Sequence, residues 1–318
     1  MRSTNKRLRV GIVGYGAVAK EHVAGWTASG NQVCAIADVA LSSSPLPDAQ
    51  LFPNLETLLT KAEVDTVDIC TPHHCHWPEI KDLVDWPGAV LVEKPLVVSI
   101  ADLEQIVPVL ERRRGATIVR TNKRFEPHIK AFLIELQDAG LESPIELSIE
   151  WYQRPKYMAH RPWYHDQTIS LGGVVLGMGI HYFEILASLF PDIKINEATL
   201  ETHTTPPNSP ETTVENDARL KLSCPHAIVK MRLACWREKK DLPIETIDAQ
   251  IGQRKLRFER PRHFDQHLSL SEEFGYYSRM MLDGRPAARP ADLYRSHLLA
   301  LSAYQVAEPA GLEAPTPK

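Results

Sequence analysis

Apolar residues in the first third of the chain fall into short continuous runs, and each run is followed by a stretch in which apolar positions recur at helical spacing. The runs predict buried strands within Leu8–Ala19 and at Gln32–Ala37, Val64–Cys70, Ala89–Val92 and Thr117–Arg120. The stretches between them predict helices at Lys20–Ser29, Leu55–Lys61, Trp77–Val84 and Ile100–Arg113. Because strands that alternate with helices usually pair in parallel, this pattern predicts a doubly wound α/β sheet.

The pattern changes after residue 121. A helix is predicted at Pro127–Ala139, and a polar, aromatic loop at Gln153–Gln167 precedes a glycine-rich helix that runs to Phe190. Strands are predicted at Ile145–Tyr152, Ile195–Thr204, Ala218–Cys224, Ala227–Trp236, Ile244–Ile251 and Lys255–Glu259, and the last helices at Leu270–Leu282 and Ala291–Val306. Successive strands without intervening helices predict a mostly antiparallel sheet, so we place a domain boundary near Asn122.

A glycine pattern joins the first strand to the first helix. Gly14, Gly16 and Ala19 follow the spacing G-x-G-x-x-A. The first glycine allows a tight turn, the second lets the backbone approach a pyrophosphate, and the alanine keeps the helix close to the strand. Asp38 ends the second strand 22 positions after Gly16, where a ribose-binding acid is expected. A glycine turn beside a surface aspartate is the plainer alternative, but the combined context predicts a dinucleotide site with phosphates at the helix N-terminus.

Composition and charge limit the classes of partner. The chain has 318 residues, of which 43% are hydrophobic, enough for about two domains. Its formal net charge is −4, so nothing indicates a nucleic-acid or anionic-membrane surface. The five cysteines show no C-x-x-C spacing, which favours a reducing compartment over a disulfide framework.

Two apolar stretches resemble targeting or membrane segments. Met1–Ala19 has the basic start and apolar run of a secretory signal, but its glycines are explained by the dinucleotide turn. Leu171–Phe190 is apolar enough to resemble a membrane span, yet it contains four glycines together with His181 and Glu184. We therefore expect a soluble, cytoplasmic protein without a membrane partner.

Candidate catalytic groups occur in both halves of the chain. Glu93-Lys94-Pro95 follows a predicted parallel strand, at the sheet edge where open α/β sheets bind their ligands. Alone it equally describes a surface lysine before a loop proline. His181 follows a run of glycines on an apolar helix and has a side chain suited to proton exchange near neutrality, although a lone histidine there is usually a core residue.

Taken together, these motifs resemble the Gfo/Idh/MocA family, the group of glucose–fructose oxidoreductase and inositol dehydrogenase. The ordered set carries the resemblance: the glycine pattern at Gly14–Ala19, Asp38, Thr71-Pro72 with His76, Glu93-Lys94-Pro95, Arg124-Phe125-x-Pro127, and the segment from Trp163 to His181. Each piece alone is common, and only their order along most of the chain is specific.

The resemblance implies a two-domain oxidoreductase. A Rossmann-type parallel-sheet domain over residues 1–122 would bind NAD, with NADP as the alternative cofactor. An α+β domain with an open, mostly antiparallel sheet over residues 123–318 would bind the small-molecule substrate and pair subunits into a homodimer or homotetramer. Lys94 and His181 are the expected catalytic residues, because they match the family lysine and histidine that handle the proton during hydride transfer.

The remaining site residues follow from the same alignment of motifs. The expected cofactor-binding residues are Gly14, Tyr15, Gly16, Ala17, Val18, Asp38, Thr71, Pro72, His73, His76, Glu93 and Lys94. The expected substrate-binding residues are Lys94, Arg124, Trp163, Asp166 and His181. A basic set (Lys123, Arg124, Arg154, His160 and Arg161) would suit an oxygen-rich or anionic ligand, or is simply a solvated basic face.

One position departs from the family pattern. An aspartate usually stands four residues before the histidine, and here that residue is Gly177, while Glu184 replaces an aspartate three residues after it. Residues four apart share a helical face, so the change removes a carboxylate beside His181. We expect a wider and less charged pocket there, suited to a bulkier or less hydroxylated substrate.

The stretch His73-His74-Cys75-His76 contains residue types that bind zinc. Adjacent residues of one loop rarely all face one ion, and a fourth ligand at ordinary spacing is missing, so we expect no metal.

The sequence thus predicts an NAD(H)-dependent oxidoreductase acting on a sugar-like or cyclitol substrate, with reduction of a keto group in a biosynthetic setting as one form. Reduction of an imine or a less hydroxylated ketone is the alternative that needs the missing acid least. A non-catalytic, dinucleotide-binding regulatory protein is the alternative of another class. Asp38 favours NAD over NADP, although Ser42–Ser44 could bind a phosphate.

Overall fold

The computed structural model describes residues 7–140, 144–153, 162–204, 211–236, 245–261 and 266–307. Arg154, His160 and Arg161, three members of the predicted basic set, lie outside the described residues. Two compact units are present. The first contains residues up to 96 together with 105–120 and 265–290, and the second contains 97–104, 121–264 and the residues from 291 onward. The predicted assignment of residues 1–122 to cofactor binding and 123–318 to substrate binding is a functional division, and it stays a prediction.

The first unit contains the predicted parallel sheet. Its strands are β1 (Arg9–Val13), β2 (Gln32–Ala37), β3 (Gln50–Phe52), β4 (Thr66–Ile69), β5 (Ala89–Val92) and β6 (Thr117–Val119). All neighbours pair in parallel, in the order β3-β2-β1-β4-β5-β6. This is the strand order of dinucleotide-binding α/β folds, and it confirms the predicted fold class. The edge strand β3 was not predicted because three residues are too few to show a period.

Helices surround this sheet. They lie at Ala17–Ala28, Leu55–Lys61, His73–Asp82, Ile106–Arg112 and Gln266–Leu282. The single helix predicted over Ile100–Arg113 is wrong, since a short helix ends at Leu103 and another begins at Ile106. Pro108 explains the restart: proline lacks a backbone N–H and is tolerated in a helix's first turn, where no intrahelical acceptor is needed.

The helix Gln266–Leu282 belongs to the first unit although it comes late in the chain. It packs on the helix Ala17–Ala28, where the Phe274 ring meets the Trp26 ring edge-on at 5.0 Å between centroids. A Cβ added at Gly25 would lie 2.2 Å from the Phe274 ring. A glycine inside a helix usually costs about 1 kcal/mol against alanine. Here it is explained because the phenylalanine takes the space that a side chain would need.

The second unit is built on a mixed sheet that is mostly antiparallel. Its strands are β7 (Ile145–Tyr152), β8 (Lys194–Glu201), β9 (Asp217–Cys224), β10 (Ala227–Ala234), β11 (Glu245–Ile251) and β12 (Arg254–Glu259). They are ordered β12-β11-β7-β10-β9-β8, and only β7 with β10 pair in parallel among these described strands. The open, mostly antiparallel sheet is confirmed.

Helices of the second unit lie at Ile100–Leu103, Pro127–Ala139, Gln167–Ser170, Ile180–Leu189 and Pro290–Val306. Single 3₁₀ turns occur at Asn122–Phe125 and Pro162–His165, and a π-helical turn at Val175–Gly179 leads into the helix that carries His181. The inward residues of β7 are buried and alternate with more exposed ones, which is the period of a strand with one covered face. Among the described residues, no helix combines the length and the apolar character that crossing a membrane requires.

Candidate active site

The turn between β1 and the helix Ala17–Ala28 requires glycine at its first position. Gly14 has a φ of +82°, and its N–H donates to the carbonyl oxygen of Ala37 at 2.8 Å. A Cβ here would lie 2.9 Å from the backbone nitrogen of Thr71. Both the left-handed backbone and the close approach of the next strand's loop therefore exclude a side chain.

Gly16 serves a different purpose, because a Cβ added there would meet nothing within 4 Å. It is the N-cap residue of the helix Ala17–Ala28 and has no side chain to bond the first N–H groups of that helix. Helix N-termini offer such groups and a positive dipole end to anions. The open space at Gly16, beside the first N–H groups at Ala17 and Val18, thus fits a pyrophosphate.

Asp38 is held in place at the end of β2. Its Oδ2 accepts from the N–H of Tyr15 at 2.7 Å, and its Oδ1 accepts from the N–H of Ala40 at 2.8 Å. Each carboxylate oxygen has lone pairs left over after one such bond. The acid is therefore pinned to the glycine turn and retains acceptors for ribose hydroxyls.

The side chain of His76 connects the loops that follow β4 and β5. The ring of His76 lies between two carbonyl oxygens, with Nδ1 2.7 Å from Pro95 and Nε2 2.8 Å from Thr71. The Thr71 hydroxyl donates to Glu79 at 2.7 Å, and burial raises the pKa of Glu79 to about 7. These contacts bring the predicted cofactor residues of the Thr71 loop next to the Glu93-Lys94-Pro95 turn.

The histidine-rich stretch is not a loop. The helix begins at His73, so the expectation of a helix starting at Trp77 is wrong by one turn. Helical geometry then separates the side chains: His73 and His76 are buried, while His74 is exposed. Both ring nitrogens of His76 face carbonyl oxygens rather than a shared ion.

Glu93 has partners that the sequence did not reveal. Its carboxylate accepts from His22 and Arg120, and its Oε2 also lies 3.3 Å from the N–H of Lys94. His22 stands one helical turn after Ala19 on the inner face of its helix. The signal available in the sequence was a histidine three positions after Ala19, a spacing that places both residues on the same face of the helix.

In the second unit, His181 is buried near the start of the helix Ile180–Leu189, and its ring lies 6.0 Å from the Trp151 ring. Glu184, on the next turn of that helix, forms an ion pair with Arg124. The predicted substrate-binding arginine is therefore engaged by the acid that replaces the family aspartate. Asp166 caps the short helix Gln167–Ser170, and the hydrogen bonds from Thr168 hold the pKa of Asp166 below its ordinary value.

Lys123 does not line an open surface, so that expectation is wrong. Its ammonium is buried between Glu126, at 3.1 Å, and Glu245, and it lies 3.9 Å from the centre of the Trp151 ring. Burial would raise the pKa of Glu245, but the charges of Lys123 and His128 outweigh it and lower that pKa. The ion pair belongs to the core of the second unit.

The open space expected at position 177 is filled. A Cβ added at Gly177 would lie 1.2 Å from the hydroxyl oxygen of Tyr164, whose side chain is buried. The phenol thus occupies the volume into which an acid at position 177 would project. The turn that brings Gly177 to this place is π-helical, a feature often found at functional sites.

Glu215 holds the beginning of that turn, and sequence reasoning missed it. Its carboxylate accepts from the N–H groups of Gly173 at 2.9 Å and Val175 at 3.1 Å, and from the hydroxyl of Tyr304 at 2.7 Å. Burial raises the pKa of Glu215, against the effect of these bonds. A Cβ at Gly173 would lie 1.8 Å from the Glu215 carbonyl oxygen, so glycine is required there as well.

Lys94 lies in the first unit, and Arg124, Trp163, Asp166 and His181 lie in the second. The joint action of Lys94 and His181 stays a prediction.

Comparisons with known proteins show that this chain is similar to NAD-binding oxidoreductases. Residues 8–121 match the Gfo/Idh/MocA family model, described as an oxidoreductase family with an NAD-binding Rossmann fold. D-apiose dehydrogenase of Paraburkholderia graminis is 22% identical over 197 residues, covering 60% of this chain and 52% of the relative. Inositol 2-dehydrogenase of Acidothermus cellulolyticus is 24% identical over 204 residues, covering 61% and 57%. The chain spans about half the length of the curated relatives it matches.

The fold is also that of a solved structure. An oxidoreductase from Agrobacterium radiobacter, in complex with NAD+, L-tartaric acid and magnesium, matches with a TM-score of 0.81. The match covers 95% of this chain and 96% of that chain at 17% identity, so the likeness is one of fold.

Proposed function

We propose that this chain, whose residues 8–121 match the NAD-binding Rossmann fold of the Gfo/Idh/MocA oxidoreductase family, is an NAD(H)-dependent oxidoreductase of that family. The proposed reaction transfers hydride between the nicotinamide and a carbonyl or hydroxyl carbon of a sugar-like or cyclitol substrate. The names of the curated relatives, D-apiose and inositol 2-dehydrogenases, support this substrate class. Reduction of a keto-sugar in a biosynthetic setting is part of the proposal.

One observation carries the proposal: the glycine turn, the pinned acid and the lysine turn are all held together in the first unit. The open space at Gly16 fits the pyrophosphate, and Asp38 fits the ribose. His76 joins the Thr71 loop to Pro95 and so places Lys94 in the same group of loops. This arrangement supports a cofactor site and a candidate proton donor at the same edge of the parallel sheet.

The roles of the side chains follow from their chemistry. When bound, NADH supplies a hydride from C4 of its nicotinamide ring. As the hydride reaches the carbonyl carbon, the oxygen gains one proton: the Lys94 ammonium would polarise that oxygen through a hydrogen bond and give it the proton, and His181 would take part in replacing the proton that the lysine loses. A carboxylate at Glu93 directly before Lys94 favours the charged form of the lysine.

The proposal is tested with the purified protein and NADH, by following nicotinamide absorbance over a panel of ketoses, keto-cyclitols and imines. We expect turnover on a hydroxylated ketone. Turnover on imines alone would replace the sugar-like substrate with the less hydroxylated alternative. Tight NADH binding by calorimetry without turnover on any member of the panel would favour a regulatory, dinucleotide-binding protein instead.

The second sheet is the proposed oligomer interface. One face of β10 is buried, while Ile228 on the other face is 43% exposed and is flanked by polar side chains. We expect a homodimer or homotetramer in light scattering after size-exclusion chromatography. The cytoplasmic location is also part of the proposal, since an odd number of cysteines, five, without C-x-x-C spacing fits a reducing compartment.

The cofactor preference gives a direct prediction. We expect NADH to bind more tightly than NADPH, because the Asp38 carboxylate accepts from ribose hydroxyls and repels a 2′-phosphate. Asp38→Asn keeps the shape but removes the charge, so the ratio of the two dissociation constants should move toward NADPH by about tenfold, or 1.4 kcal/mol. Calorimetry with both cofactors measures this ratio. Asp48→Asn, an exposed change of the same kind, is the control, and tighter NADPH binding by the unaltered protein would contradict the prediction.

A further inference from the structure

Five buried ionisable side chains lie behind the Glu93-Lys94-Pro95 turn in the first unit. We call them the buried clamp, and they are His22, Asp68, Glu93, Arg120 and Glu273. His22 lies on the helix Ala17–Ala28 and Asp68 lies on β4. Glu93 and Arg120 directly follow β5 and β6, and Glu273 lies on the helix Gln266–Leu282. Removing so many charges from water is costly unless each finds a partner, so their arrangement calls for an explanation.

His22 is the centre of the clamp. Its Nδ1 lies 2.9 Å from Asp68, and its Nε2 lies 2.9 Å from Glu93. A ring that donates to both carboxylates carries a proton on each nitrogen, whereas a neutral ring would keep the Asp68 bond and accept at Nε2 from Nη1 of Arg120, which lies 3.0 Å away. Burial would lower the pKa of His22, but the charge of Asp68 outweighs it and holds that pKa well above its ordinary value. The direction of this shift favours the imidazolium form, in which the ring donates to both carboxylates.

Arg120 holds Glu93 from the other side. Its Nη1 donates to Oε1 of Glu93 at 2.9 Å, the same oxygen that His22 approaches. Its Nε and Nη2 donate to the two oxygens of Glu273 at 2.8 and 3.2 Å. Such a two-bond pair fixes the plane of the guanidinium group. Glu273 thus orients Arg120, and Arg120 orients Glu93.

The clamp carries one more negative than positive charge when His22 is protonated. Asp68, Glu93 and Glu273 contribute the negative charges, against two cations. Burial would raise the pKa of Glu93, but His22 and Arg120, together with the charge of Lys94, hold it well below its ordinary value. Lys94 is therefore close enough to feel the clamp's charge, and it follows Glu93 directly in the chain.

We propose that the buried clamp positions the lysine of the proposed reaction, with His22 as its central positioning residue. The clamp keeps the Glu93 carboxylate charged and oriented beside Lys94, which favours the ammonium form of the lysine that a proton donor needs. This inference rests on the proposed function, because it assigns the clamp a role through Lys94. In a purely structural ion network, the same changes of charge would lower the stability of the first unit without shifting the pH dependence of turnover in opposite directions.

Other charged or titratable groups also face the clamp or Lys94. Around the clamp and Lys94 these are Glu21, Cys70, His76 and Tyr277. Burial, the largest effect, and the nearby Asp68 carboxylate raise the pKa of Cys70 to about 12, and burial lowers the pKa of His76. Cys70 is then an uncharged thiol over the range in which turnover would be measured.

Two substitutions of opposite charge test the proposal. Glu273→Gln removes a negative charge, so the alkaline limb of the pH profile of kcat/KM, which reports the essential acid of the free enzyme, should move to lower pH. His22→Asn removes a positive charge, so the same limb should move to higher pH. We expect shifts of about half to one pH unit, with kcat lowered about tenfold and the NADH dissociation constant changed less than about twofold.

The exposed neighbour Glu272 provides the matched control, since Glu272→Gln makes the same change on the same helix. The positioning role would be overturned if neither Glu273→Gln nor His22→Asn shifted the alkaline limb of the pH profile. It would also be overturned if both variants shifted that limb in the same direction. Should His22→Asn fail to fold by circular dichroism, an unmoved limb in Glu273→Gln would overturn the role on its own.

A measurement without substrate separates this inference from the proposed function. Histidine carbon–proton NMR signals report the charge of each ring, and the signal that Glu273→Gln perturbs most identifies His22. We expect that ring to be charged at neutral pH in the unaltered protein. A neutral ring would overturn the clamp whatever the enzyme does. A charged ring together with absent turnover on the whole panel would overturn the proposed function and leave the charged clamp in place.

Discussion

Replacing Lys94 with alanine is expected to lower kcat by about 10²–10⁴-fold, the range typical of a lost proton-transfer group. The amine is proposed to act on the reacting oxygen, so the loss should appear in kcat and in kcat/KM rather than in cofactor binding. Calorimetry should find the NADH dissociation constant changed by less than about twofold. The steady-state rate on the substrate identified from the panel measures the effect.

The control for this variant is Lys61→Ala, an exposed lysine on the first unit's helix Leu55–Lys61. It removes the same charge and stem from the same unit, so a general effect of net charge would appear in both variants. Near-full activity of Lys94→Ala on that substrate would refute the assignment of this site. A large loss of NADH affinity would instead make Lys94 a cofactor-binding residue.

Gly177→Asp is expected to destabilise the second unit severely. The new Cβ would lie 1.2 Å from the hydroxyl oxygen of Tyr164, a side chain only 4% exposed, so the tyrosine must leave its place. Overpacking of a core typically costs about 1–3 kcal/mol and more when a buried group is expelled. We expect a loss of at least about 3 kcal/mol, measured by urea unfolding.

A double variant makes this prediction specific. Tyr164→Ala alone leaves a cavity that costs about 3–5 kcal/mol, but it also opens the room that an acid at position 177 needs. Tyr164→Ala with Gly177→Asp should therefore be markedly more stable than the sum of the single losses, a coupling of about 1–3 kcal/mol. Gly275→Asp, where a Cβ meets only Arg279 at 3.5 Å, is the matched control in another helix. Simple additivity would show that Tyr164 does not hold this space.

The contact between Tyr164 and position 177 also concerns the surroundings of His181. The helical face before this histidine carries a phenol from a different segment instead of a carboxylate from its own helix. The open space that the sequence predicted at position 177 is therefore occupied by a buried tyrosine.

The sequence by itself determined the elements whose signal is local. Gln32–Ala37, Ala89–Val92 and Ile145–Tyr152 have the predicted bounds, because a buried or half-buried strand shows its period within a few residues. The glycine turn and Asp38 were likewise predictable, since the backbone and charge that a dinucleotide requires are set by neighbours along the chain. The parallel sheet follows from the alternation of strands and helices.

Tertiary structure decided what depends on surfaces meeting across long separations. Glu273 reaches Arg120 from 153 positions away, and β10 pairs in parallel with β7. Neither leaves a periodic trace, because a polar residue has the same local pattern whether it faces water or a buried partner. Tyr164 and Gly177 show the same limit: a glycine in a helix signals missing volume, but only the packed structure shows which side chain fills it.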